Sequence, residues 1–135
     1  MRKTLFGLVL VWSFVFAGCG SKDAEINSFI SDSDKLASEI VQKVKANPTA
    51  TGVDEAQKLL DSKKADLRKQ YDNLKTARGY QVKEETMRKF TDSVFKNAEA
   101  VNNLKLDFLE KTLNDKKFSE KIDKLVDDFN AIYEV

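Results

Sequence analysis

Apolar residues recur along most of this chain at the three-and-four spacing of a helix face. Ile26, Ile30, Ser33, Ala37, Ile40 and Val44 follow one another at intervals of 4, 3, 4, 3 and 4, and Phe29, Leu36 and Val41 widen the stripe. Residues so spaced share one side of an α-helix, so the pattern predicts a first helix from Ala24. It breaks at Ala46-Asn47-Pro48-Thr49-Ala50-Thr51-Gly52, which holds the only proline. A residue before proline is driven out of the helical region. Thr51 with Asp54 three residues on has the form of a capping box, and it opens a second predicted helix from Gly52 to Arg78. The stripe there is narrow: Val53, Ala56, Leu60, Lys63, Leu67, Tyr71, Leu74 and Ala77. Gly79 stands where a left-handed C-terminal cap is expected. Tyr80 is expected to pack behind that turn, and Tyr71 to lie in the stripe with its hydroxyl at the rim.

A third helix is predicted from near Val82. Met87, Val94, Val101 and Phe108 repeat every seven residues, flanked by Phe90, Phe95, Ala98, Leu104 and Leu109. Glu84 with Arg88 and Glu85 with Lys89 form i,i+4 pairs in the favourable orientation. This segment reads as the longest and most apolar helix and as the centre of the fold. The stretch Asn114-Asp115-Lys116-Lys117 weakens the pattern and shifts its phase. A last helix then carries Phe118, Ile122, Leu125, Phe129 and Ile132, with Val126 and Tyr133 beside them. The third and fourth helices read equally well as separate elements or as one bent rod. No segment has strand periodicity. The expected fold is all-α: an antiparallel up-down helical bundle of three long helices plus a shorter C-terminal helix, spanning residues 24–135. The same spacing serves a coiled coil, so an elongated hairpin and a dimer remain alternatives.

The opening of the chain has a different character. Met1-Arg2-Lys3-Thr4 is basic, and Leu5 to Phe16 is apolar except for Gly7 and Ser13. A basic start, an apolar run of about 7–15 residues and a small-residue site make a secretory signal peptide. The run is 12 residues long, against the roughly 20 that a spanning helix needs. Residues 1–18 are therefore expected to be removed. Arg2 and Lys3 leave with them, so 21 of the 23 basic residues face 22 acidic ones, a formal charge of −1. The two signs are interspersed, and no basic block suited to nucleic acid is present.

Cys19 is the only cysteine and lies at the expected processing point. A lone cysteine in an exported chain has no internal disulfide partner, and without any histidine it lacks the usual base for nucleophilic work. Covalent modification remains. Phe16-Ala17-Gly18-Cys19 resembles the lipobox of bacterial lipoproteins; Ala17, Gly18 and Cys19 match the pattern, and Phe16 stands where leucine is usual. The resemblance covers about the first 19 residues. It implies a diacylglyceryl group on the Cys19 sulfur, acylation of the new terminus, and attachment to the membrane of a bacterial cell envelope. Gly20, in place of the aspartate that resembles an inner-membrane retention signal, implies transfer to the outer membrane. One acyl chain, at about 0.8 kcal/mol per buried methylene, anchors only reversibly, and two or more make the anchoring stable. The tether, residues 19–23, contains no Pro- or Ser-rich stalk.

The remaining chemistry is restricted. Absence of histidine excludes a Ser-His-Asp triad, a histidine zinc site and the Glu-x-x-His di-iron motif. "KANPTATG" lacks the spacing of a phosphate loop. Glu84-Glu85 and Asp127-Asp128 are adjacent carboxylates, but neighbours on a helix diverge by about 100°, so both pairs read as solvated face. No catalytic, cofactor-binding or metal-binding residues are assigned, and no cofactor is expected. The leading expectation is a non-enzymatic envelope lipoprotein that presents a helical surface to a protein partner. A surface-exposed antigen or adhesin, and a carrier of a small apolar ligand among the phenylalanines, are the alternatives.

Overall fold

The computed structural model describes residues 21–77 and 79–134, and it is all-helical. Among these residues the helices are α1 (Asp23–Ala46), α2 (Ala50–Leu74), α3 (Glu84–Asp107), α4 (Leu109–Asn114) and α5 (Lys116–Asn130), with a 3₁₀ turn at Gly79–Gln81. The proposed signal segment and the lipobox residues Phe16, Ala17, Gly18 and Cys19 lie outside the described residues.

α1 begins with Asp23 and Glu25 in its first turn and ends with Lys43 and Lys45 in its last, charges that complement the helix dipole at both ends. Its buried face is Ile26, Phe29, Ser33, Leu36, Ala37, Ile40 and Val44, close to the predicted stripe. Asn47 and Pro48 end it as expected. The cap of α2, however, is Thr49 and not Thr51. Thr49 Oγ1 accepts from the Gly52 N–H at 3.2 Å, while the Thr49 N–H donates to Asn47 O at 2.8 Å. Pro48 places Thr49 in an extended conformation, so its hydroxyl reaches the third helical N–H directly. Asp54 is left to pair with Lys121 of α5.

α2 ends at Leu74, four residues short of Arg78, and Gly79 is not its cap. The Lys75 N–H donates to Tyr71 O, Thr76 Oγ1 to Asn73 O and the Ala77 N–H to Leu74 O, so the last carbonyls are occupied without a left-handed residue. No described glycine has positive φ.

α1 packs against both α2 and α3, and α5 also packs against both. The core joins Phe29, Leu36, Ile40 and Val44 of α1 to Val53, Ala56, Leu60 and Leu67 of α2. Val101 and Leu104 of α3 and Phe118, Ile122, Leu125 and Phe129 of α5 complete it. The centre of the fold is thus α1, not α3. Of the heptad predicted for α3, Val101 is buried and Val94 and Phe108 pack partly against the core, whereas Met87 is 43% exposed; of its flanking residues, Phe95 is 72% exposed. The face turned inward is Thr86, Ser93, Asn97, Val101 and Leu104.

The third and fourth predicted helices prove separate. α3 stops at Phe108 (φ −116°, ψ 28°), and the short α4 intervenes. Asp115 then caps α5, accepting from the Phe118 N–H at 3.0 Å. Among the described residues, no helix is long and apolar enough to cross a membrane.

Candidate functional site

Three regions carry the polar and exposed apolar groups that the core does not absorb. The first is a polar network between α1 and α3. Ser93 Oγ donates to Asp34 Oδ1 at 2.5 Å, and the Asn97 amide donates to Asp34 Oδ1 at 2.7 Å and to Ser33 and Ser93 Oγ at 3.2 Å each. Ser33 Oγ also shares a 2.5 Å hydrogen bond with the Tyr133 hydroxyl. Burial pushes the Tyr133 hydroxyl pKa above its ordinary value, against the opposing pull of the Ser33 hydrogen bond. The rings beside it form a cluster. Phe29 lies 5.6 Å from Phe90, Tyr71 stacks on Phe90 at 6.1 Å, and Tyr133 meets both Phe29 and Phe129 edge-on. The network's donors and acceptors bind one another, so its work is to lock α1, α3 and the residues after α5 in one register.

The second region joins α2 to α5. Asp128 accepts from Lys124, from Lys64 at 2.9 Å and from Gln57 at 2.8 Å. The Lys124 ammonium, followed by Lys64, holds the Asp128 carboxyl down to about 2. Asp128 is therefore tied across two helices and does not belong to a solvated face, a correction to the sequence reading. Its neighbour Asp127 is exposed, and Glu85 pairs with Lys89 at 2.8 Å in the expected i,i+4 manner. Among the described residues, no group of three acidic or thiol ligands converges to hold a metal ion.

The third region is the outer side of α3 and α4. Phe95, Leu106, Leu109 and Leu113 are 72%, 68%, 53% and 77% exposed. Phe95 and Leu106 are eleven residues apart, about three turns, and so share a face. Leu109 and Leu113 share one in the same way on α4. This stripe was hidden within the sequence pattern, since Phe95 and Leu109 were assigned to the core flank of the third helix. The signal that could have separated them is the run Ser93, Asn97, Val101 and Leu104, which has helical spacing of its own and whose polar members can hydrogen-bond to Ser33 and Asp34.

Two further placements differ from expectation. Tyr80 is 78% exposed and does not pack behind Gly79. Its neighbour Gln81 is held to α1 instead, its carbonyl accepting from the Lys22 N–H at 2.8 Å. Met87, expected in the core, lies on the rim of an apolar cleft of about 230 Å³ bounded by Ile26, Leu74 and Phe90. Tyr71 sits in the stripe as expected, half-buried, with Lys75 Nζ 4.9 Å from its ring centre. The six phenylalanines divide: Phe29, Phe118 and Phe129 are fully buried, Phe90 and Phe108 pack partly against the core, and Phe95 faces out.

Comparison with protein-family models, with curated proteins and with solved structures gave no match for this chain.

Proposed function

We propose that the chain is a bacterial envelope lipoprotein that is not an enzyme. It is held to the membrane by lipid on Cys19, and it offers the outer face of α3 and α4 to a protein partner. Residues 1–18 serve as the signal, with Phe16, Ala17 and Gly18 completing the lipobox; residues 19–23 form the tether and residues 24–135 the bundle. Gly20 favours the outer membrane over the inner. The bundle runs up-down-up-down. In support, Asp23 meets Lys83 and Lys45 meets Asp107, matching the two ends of α1 to those of α3. Asn102 meets Asn130 and Lys105 meets Asp123, which reverses α5 against α3.

The observation that carries the interaction reading is an inversion on α3. Phe95 and Leu106 face solvent on the helix that turns Ser93 and Asn97 inward. Burying Phe95 instead would gain about 1.5–3 kcal/mol of apolar transfer free energy. Large apolar side chains left exposed along one side of a helix are candidates for a docking surface.

A photo-crosslinking amino acid placed at Leu106 or Leu113 in living cells tests this. Adducts of one discrete size are expected there and not from Lys58, on the exposed side of α2. Equal labelling at all three positions, or none under any growth condition, would reject the interaction role.

A further inference from the structure

The start of α1 is fastened to the turn that precedes α3. The Lys22 N–H donates to Gln81 O at 2.8 Å, and the Lys83 N–H donates to Asp23 Oδ1 at 3.0 Å. Ser21 Oγ also donates to Asp23, and this bond, followed by that from the Lys83 N–H, holds the Asp23 carboxyl below its ordinary pKa. Cys19 lies three residues before Lys22, a span of at most about 10 Å. A lipid on Cys19 would therefore be tied to the end of the bundle at which Lys22 meets the Gly79–Gln81 turn.

The same end exposes apolar surface. Tyr80 is 78% exposed and Met87 43% exposed. α5 has already ended: Asn130 is its last residue, and Tyr133 packs on Phe29. The early turns of α1 and α3 and the last turn of α2 bound an uncovered cleft with Ile26, Leu74, Met87 and Phe90 on its walls. Charges around it are of both signs, with Lys22 on Glu25 and Lys75 on Asp72. The surface is thus amphipathic and is not a basic patch.

We propose that this end of the bundle seats on the phospholipid bilayer, with Tyr80 and Met87 in the headgroup layer. The domain then stands end-on and does not swing on its tether. The inference rests on the lipid-anchor reading, because the anchor is what brings this end to the bilayer. Tyrosine suits the position, its ring apolar and its hydroxyl able to remain wet at the headgroup level. A short tether also supplies a high effective concentration, on the order of millimolar, so a contact too weak to recruit a free domain is populated once the domain is anchored. Since the charges are mixed, seating needs no anionic lipid.

The test uses the lipidated protein in phosphatidylcholine vesicles. Trp12 leaves with the signal, so Tyr80→Trp provides a single tryptophan. Its emission is expected to shift to the blue and to be quenched by lipids brominated near the headgroup. Gln42→Trp, exposed and about 28 Å further along α1 at 1.5 Å per residue, is expected to emit as in water and to escape quenching. Met87→Trp should behave like Tyr80→Trp, which guards against a local disturbance of the turn. Vesicle-bound protein in which Tyr80→Trp and Gln42→Trp emit alike and neither is quenched would overturn the seating and leave the anchor standing. Protein that does not float with vesicles, and whose intact mass shows no lipid on Cys19, would remove both.

Discussion

Two glycines show how far a single residue's meaning depends on what approaches it. A Cβ on Gly52 would lie 1.8 Å from the Asn47 carbonyl oxygen, because the Asn47-Pro48-Thr49 backbone folds directly over the first turn of α2. A Cβ on Gly79 would meet nothing within 4 Å. In an open helix Gly→Ala gains about 1 kcal/mol in propensity. At Gly52 that gain is outweighed, because the clash is with backbone and the turn must move, at about 1–3 kcal/mol or more. Thermal melts should show Gly52→Ala several degrees below the parent, and Gly79→Ala unchanged or slightly above it. From the sequence a special role is expected for Gly79 alone and none for Gly52, since the constraint on Gly52 lies in the path of residues 47–49. Asp128 was misjudged for a related reason. Its i,i+4 partner Lys124 was legible, whereas Lys64 arrives from another helix. Its carboxyl, ordinarily near 3.8, is held at about 2. A depressed carboxylate contributes stability above its unfolded pKa, and that contribution is lost as pH falls through the folded value. Acid titration should therefore show part of the parent's loss between pH 4 and 2 missing in Asp128→Asn. At neutral pH the variant should be weaker by about 1 kcal/mol or less, because the pairs are water-screened.

At the scale of elements, periodicity located the helices better than it oriented them. α1 and α5 are largely legible because their inward faces are almost wholly apolar, from Ile26 to Val44 in one and from Phe118 to Phe129 in the other; Ile30 and Val41 are not fully buried, and Ile132 packs from just beyond the end of α5. α3 is legible as a helix, but its inward face is rotated from the expected one: Val101 and Leu104 are buried as expected, while Met87 and Phe95 turn out. A rule that ranks faces by hydrophobicity chooses Met87 and Phe95 over Ser93 and Asn97. In the folded chain the polar face wins because Ser33 and Asp34 on α1 present oxygens to it, and buried polar groups with partners are tolerated. That complementarity is a property of two helices together and is invisible along either one. It yields a prediction. Asn97→Leu makes α3 more apolar, yet it removes the donor shared by Ser33, Asp34 and Ser93 and leaves their oxygens short of partners. A loss of about 1–3 kcal/mol is expected in denaturant unfolding. Tyr133→Phe, which removes one hydroxyl from the edge of the same network, should lose about 1 kcal/mol.

For the whole molecule the question is whether the anchor and the bundle are separable parts. The core runs from Phe29 to Ile132 and is built from side chains of α1, α2, α3 and α5, with Ile132 from just after α5. The contacts nearest the terminus, Lys22 on Gln81 and Asp23 on the Lys83 N–H, use the last two residues of the proposed tether and need nothing from Cys19. Folding and anchoring should then respond independently to mutation. Cys19→Ser deletes the thiol that would carry the lipid and leaves every residue of the core unchanged. Grown with labelled fatty acid, the variant is expected to take up no label, and where its signal is still cut it should move from the membrane fraction to the soluble one. Its far-UV circular dichroism and melting temperature should match those of the parent solubilised in mild detergent. Gly52→Ala should give the reverse pair of results, with label and membrane fractionation retained and the melting temperature lowered. A Cys19→Ser protein that stayed with the membrane would mean that the bundle binds lipid unaided, through Tyr80, Met87 and the cleft beside them. One that lost its helical signal would mean that the terminus is part of the fold. The packing argues against the second, because the core is filled by residues from Phe29 onward; the first is disfavoured because a contact of this size is populated only when the anchor keeps the domain at the bilayer.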